Sequence, residues 1–119
     1  MLHYLSDWKP TLRDFARLLH PDGRLVFSVH HPAMTGPTVH DYFETQRVTE
    51  EWTIGGRDRE VSFYHRSMEA IVNDVIESGF VLTRLTEPRL RDRKAATEAE
   101  RRLATRPWFL IIEAKRARQ

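Results

Sequence analysis

Apolar residues along this chain fall into a few distinct patterns. Leu12, Phe15, Ala16 and Leu19 recur at i, i+3, i+4 and i+7. That spacing gives one apolar stripe on a helix, which Asp7 is placed to cap and Pro10 fits within its first turn. His20-Pro21-Asp22-Gly23 stops the helix and turns the chain. Arg24 to Val29 is then nearly all apolar, as expected of a strand buried on both faces of an α/β sheet. After His31-Pro32 the pattern lapses, and residues 33–46 read as a polar loop. Two short strands are predicted at about Arg47–Ile54 and Glu60–Tyr64, with the turn at Gly55-Gly56. Ser67 is placed to cap a second helix with the stripe Met68, Ile71, Val72, Val75 and Ile76, which Gly79 ends. Phe80–Thr86 reads as a strand stopped by Pro88, Ala95–Arg106 as a helix, and Trp108–Ile112 as a last strand.

Helices alternating with apolar strands imply an α/β sheet of two or three layers. The three core strands are few for a doubly wound sheet. No Gly-x-Gly-x-x-Gly turn joins a strand to a helix. The residues alone therefore read as half of an α/β domain, with 119 residues forming one unit.

Composition narrows the function classes. There is no cysteine, which removes disulfides and thiolate-bound zinc and makes a cytoplasmic setting the default expectation. No run of about 18 apolar residues is present to cross a membrane, and no leader-like start is expected. The net charge is +2, but it is uneven. Residues 1–60 hold 7 Lys+Arg and 9 Asp+Glu, and residues 61–119 hold 12 and 8. The basic run of Arg89, Arg91, Arg93, Lys94, Arg101, Arg102 and Arg106 is interleaved with Asp92, Glu98 and Glu100. That suits an ion-paired, solvated helix better than a nucleic-acid face.

Candidate chemistry gathers around histidines and aromatics. His30 and His31 follow a buried strand, at the end where open α/β sheets place ligands, and a histidine there can act as a base. Neighbouring residues of a strand point opposite ways, so the two do not serve one site if the strand continues. A metal site from His30, His31, His40 and His65 is not expected, because none of them has helical His-x-x-x-His spacing. Tyr42, Phe43, Trp52, Phe63 and Tyr64 fit a lid over an apolar substrate, or cross-strand packing of the hairpin. Arg66 is a candidate carboxylate holder or a solvated charge.

Several strings in order carry a resemblance. They are Leu2-His3-Tyr4-Leu5 with Asp7-Trp8, the run from Leu18 to Ser28 through Pro21-Asp22-Gly23, and His30-His31-Pro32. After these come Tyr42-Phe43, Glu51-Trp52, Phe63-Tyr64-His65-Arg66, Ser78-Gly79-Phe80 and Glu87-Pro88. Together they resemble the small-molecule (type 11) group of class I S-adenosylmethionine-dependent methyltransferases. The resemblance implies the C-terminal half of a Rossmann-like methyltransferase sheet. Three core strands of mixed direction would carry helices and a β-hairpin insert, residues 33–66, as a substrate lid within one partial domain, residues 1–119. It puts Met1 just past the family's fourth strand, with most of the S-adenosylmethionine site outside this chain. Cofactor binding by this chain is then expected to be weak or absent.

The same resemblance implies His3 near the cofactor, His30 and His31 as catalytic candidates, and Tyr42, Trp52, Tyr64 and Arg66 as substrate-binding candidates. The implied parent enzyme acts on a small organic nucleophile. The alternative is a non-catalytic remnant that works as a homodimer or partner-binding module. A homodimer is expected either way, because the fifth strand of the family would have an open apolar edge. Neither nucleic acid nor membrane is an expected partner.

Overall fold

The computed structural model describes residues 2–89 and 105–117. The chain opens with a 3-10 turn, Leu2–Tyr4, followed by helix α1 (Lys9–Leu18) and strand β1 (Arg24–His30). A short helix α2 (Pro32–Thr35) and a 3-10 turn (Gly36–Thr38) lead to the hairpin β2 (Gln46–Ile54) and β3 (Arg57–His65). Helix α3 (Met68–Glu77), strand β4 (Phe80–Thr86) and strand β5 (Phe109–Arg116) complete it. The expected helix over 95–106 lies almost wholly outside the described residues.

Three strands form one sheet in the order β1-β5-β4, and β2 and β3 form a separate ribbon. β5 is antiparallel to both neighbours, so β1 and β4 run the same way and end at the same edge. Leu25, Phe27 and Val29 of β1, Leu110, Ile112 and Ala114 of β5, and Phe80 and Leu82 of β4 turn to one face. There they pack with Leu12 and Ala16 of α1 and Ile71 and Val75 of α3 in a single apolar cluster. Trp8 joins it, edge-on to Phe27 with ring centres 6.0 Å apart, and its indole N–H donates to the Leu2 carbonyl at 2.7 Å.

Both helices lie on this face, so the sheet is two-layered among the described residues. That corrects the reading of β1 as buried on both sides: Val26, on the opposite face, is 60% exposed. It also explains β5, which runs to Arg116 rather than stopping at Ile112. Past Ile112 the core face still receives Ala114, while Glu113 and Lys115 alternate toward the other face.

Local chemistry sets the boundaries. The Ser67 hydroxyl accepts from the Ala70 N–H at 3.1 Å and caps α3, and Gly79 at φ +99° lets the chain leave it. Gly55 and Gly56, at φ +62° and +78°, make the two-residue turn that matches hairpin twist. Asp7 lies one residue before the N-cap position of α1, which Trp8 occupies, and its carboxylate accepts from the Lys9 N–H at 3.0 Å. Residues 32–38 are helical rather than looped. The His31 ring caps them, a contact between neighbouring residues that periodicity does not report.

Candidate functional site

The shared C-terminal end of β1 and β4 gathers most of the candidate residues. β1 stops at His30. The two histidines diverge there, as strand geometry requires. The His30 ring enters an aromatic group, with centroids 4.8 Å from Phe63, 5.9 Å from Phe109 and 6.0 Å from Trp52. Burial among these rings pulls its pKa down. Its neutral form is therefore favoured, because a charge loses hydration there.

His31 turns the other way and is buried. Its Nδ1 accepts the Ala33 N–H at 3.0 Å, so the ring proton sits on Nε2, which donates to Glu87 Oε2 at 2.5 Å. Glu87 follows β4, so this pair spans the open end of the sheet across the start of β5. The His31 backbone N–H is itself fixed by the Trp108 carbonyl at 2.9 Å. Glu87 enters the sequence reading only as part of the Glu87-Pro88 string, with no role assigned to it, and its partner is 56 residues away.

The hairpin is anchored by polar ties. His65 is fully buried. Its Nε2 donates to the Tyr42 carbonyl at 2.8 Å, which leaves Nδ1 to accept from the Thr35 hydroxyl at 2.5 Å. The Tyr42 hydroxyl accepts the Met68 N–H at 3.0 Å, and its ring lies against Gly36, where an added Cβ would come within 3.1 Å of it. Trp52 and Tyr64 are half-buried, and Trp52 donates to Glu50 at 2.9 Å.

Arg66 is buried rather than solvated, because it ties the hairpin to the start of the chain. Its Nη2 donates to the Leu5 carbonyl at 2.5 Å and its guanidinium stacks 4.5 Å from the centre of the Trp8 ring. Burial lowers its pKa to about 10, with Asp74 and Asp7 pulling the other way, so it stays charged at neutral pH. His3 lies in the Leu2–Tyr4 turn, which packs near β3. Among the described residues, no three His, Asp or Glu side chains converge as metal ligands, and no helix is long and apolar enough to cross a membrane. Of the basic run, only Arg89 and Arg106 fall within the described residues.

No family model matches the chain. An uncharacterized protein of Haemophilus influenzae is 26% identical over 127 residues, covering 96% of this chain and 50% of that protein. A structure from Listeria monocytogenes, assigned as an S-adenosylmethionine-dependent methyltransferase, superposes with a TM-score of 0.77 at 22% identity, covering 99% of this chain and 59% of that one. An S-adenosylmethionine-dependent methyltransferase from Mesorhizobium loti gives 0.67 at 25% identity, covering 98% and 58%. A glycopeptide N-methyltransferase complexed with S-adenosylmethionine gives 0.54 at 15% identity. The chain thus has the fold of the C-terminal part of an S-adenosylmethionine-dependent methyltransferase. It spans about half the length of its Haemophilus relative and under three-fifths of the Listeria and Mesorhizobium structures.

Proposed function

We propose that this chain is the substrate-side part of an S-adenosylmethionine-dependent methyltransferase of the small-molecule (type 11) group, acting on a small organic nucleophile. The observation that carries the reading is the 0.77 superposition over 99% of the chain, with polar and aromatic candidates at the strand ends that such folds use. When bound, S-adenosylmethionine supplies an electrophilic methyl on a sulfonium. This chain's share of that site is one wall, the Leu2–Tyr4 turn with the half-exposed Tyr4 ring. Its residues fit that wall and offer no glycine-rich loop for the rest.

The chain's own residues align the nucleophile and manage its proton. Trp52, Tyr64 and Tyr42 form the lid side, which excludes water. His30 stays neutral among the lid rings, while His31 acts through Glu87. Arg66 holds the lid against the cofactor-side turn. The test is to join this chain to the N-terminal part of the Listeria methyltransferase and titrate with S-adenosylhomocysteine. Micromolar binding is expected. A folded chimera that binds only in the millimolar range contradicts the reading.

A second reading, a homodimer, is favoured by the β1 edge. β1 pairs only with β5 among the described residues. Beside it lies a cleft of about 610 Å³ lined by Leu2, Leu5, Phe15, Leu25, Val26 and Phe27. An open apolar edge is a template for another strand. Sedimentation equilibrium at micromolar concentration is expected to give a dimer, and a clean monomer contradicts it.

A further inference from the structure

Glu87 does two things at once. One carboxylate oxygen is gripped by a buried histidine, while the side chain as a whole remains 57% exposed. Capping α2 requires only Nδ1 of His31. The Nε2–H adds nothing to that cap, and its effect is to hold a carboxylate at the rim. A donor fixed behind one oxygen leaves the other without a part in that bond, and a base held by a third group is how a proton acceptor is oriented.

The surface in front of Glu87 is a small cleft of about 280 Å³, lined by Pro88, Arg89, Thr105, Arg106 and Pro107 as well. Its lining brings together one acid, Glu87, and two arginines, Arg89 and Arg106, beside Pro88 and Pro107. A carboxylate pairs with an ammonium, and guanidinium groups pair with a carboxylate. A ligand carrying both charges a few bonds apart answers all three groups, and a cleft below the usual drug-sized range suits a small one.

We infer that this cleft is the subsite for an amino-acid-like nucleophile, its amine at Glu87 and its carboxylate at Arg89 and Arg106, with His31 as the residue that positions Glu87. The inference rests on the methyltransferase reading and names its substrate class. In the reaction the ammonium gives a proton to Glu87. The freed lone pair on nitrogen bonds to the methyl carbon, and the electron pair of the broken carbon–sulfur bond stays on sulfur. Glu87 is then the catalytic residue. His31 holds it through the Nε2 proton and touches no reacting atom.

The experiment uses the 119-residue chain without cofactor, so it is independent of the chimera titration. Long-range proton–nitrogen NMR is expected to show His31 as a single Nε2–H tautomer, held by the Ala33 N–H on Nδ1 in the native chain and in Glu87→Gln alike, with a downfield Nε2 proton that moves upfield when Glu87→Gln removes the carboxylate charge. L-Alanine is expected to shift that signal saturably in the millimolar range. Methylamine and acetate, each carrying half of the charge pattern, should bind at least tenfold more weakly. Arg89→Met with Arg106→Met, on exposed side chains that leave the core untouched, should weaken alanine tenfold or more. No saturable shift overturns the inference, as does methylamine binding as well as alanine, or alanine binding unchanged in Glu87→Gln. Each of those outcomes makes the His31–Glu87 pair a structural staple and leaves the methyltransferase reading standing.

Discussion

Leu12, Val75 and Ile112 are fully buried among other apolar side chains of the sheet and its two helices. His65 is just as buried at the base of the hairpin, but there hydrogen bonds hold it, from Thr35 and to Tyr42. Arg66, next in sequence, repeats the contrast through a carbonyl and an indole face. The sheet region is thus stabilised by apolar area, which is non-directional and tolerates small shifts. The hairpin region depends on a few directional contacts that fix where the aromatic rings sit.

The sharpest way to break the comparison is to remove one anchor from each region. Ile112→Ala empties space in the shared core and should cost about 2–5 kcal/mol. Urea unfolding should show it as a lower midpoint for the whole chain. His65→Ala leaves the Thr35 hydroxyl and the Tyr42 carbonyl without their partner, and should cost about 1–3 kcal/mol. Hydrogen exchange should then speed up in β2 and β3, while β1 and β5 keep their protection. If both substitutions open the same amides to the same extent, the two regions are one cooperative unit and the comparison fails.

The two regions were not equally legible in the sequence. Periodicity located α1, α3, β4 and the hairpin to within a few residues, because apolar stripes, Ser67, Gly79 and Gly55-Gly56 act locally. It failed where the determinant was distant or polar. Nothing local says that both helices take the same side of the sheet, so Val26 read as buried. Phe15 likewise faces the β1 cleft instead of the core. The aromatic candidates Trp52 and Phe63 were legible as a cluster, and their approach to His30 follows from the strand end. The His31–Glu87 pair was not legible, since each residue alone is ordinary and only the parallel course of β1 and β4 brings them together. Arg66, left open between a carboxylate holder and a solvated charge, was not legible as a buried tie for the same reason: its partners Leu5 and Trp8 lie about sixty residues earlier.

A smaller effect sharpens the boundary between the regions, where His30 sits among rings from both. Burial lowers its pKa in the folded chain. The unfolded chain therefore takes up a proton more readily, near the ordinary histidine value of about 6.5. This contribution to stability is present above that value and is lost as pH falls through the lowered folded value. Unfolding measured at pH 7.5 and at pH 5 should show a decline for the native chain, and a shallower decline for His30→Phe. An equal slope in both would remove His30 from the boundary.

The central claim is that this chain carries the substrate side of a methyltransferase and only one wall of its cofactor site. Calorimetric titration of the isolated 119-residue chain with S-adenosylhomocysteine tests it most directly. The account predicts a dissociation constant in the millimolar range or weaker, equivalent to about −4 kcal/mol or less in binding strength. Micromolar binding by this chain alone would contradict it, and would mean that the cofactor is held by residues assigned here to the lid and the sheet.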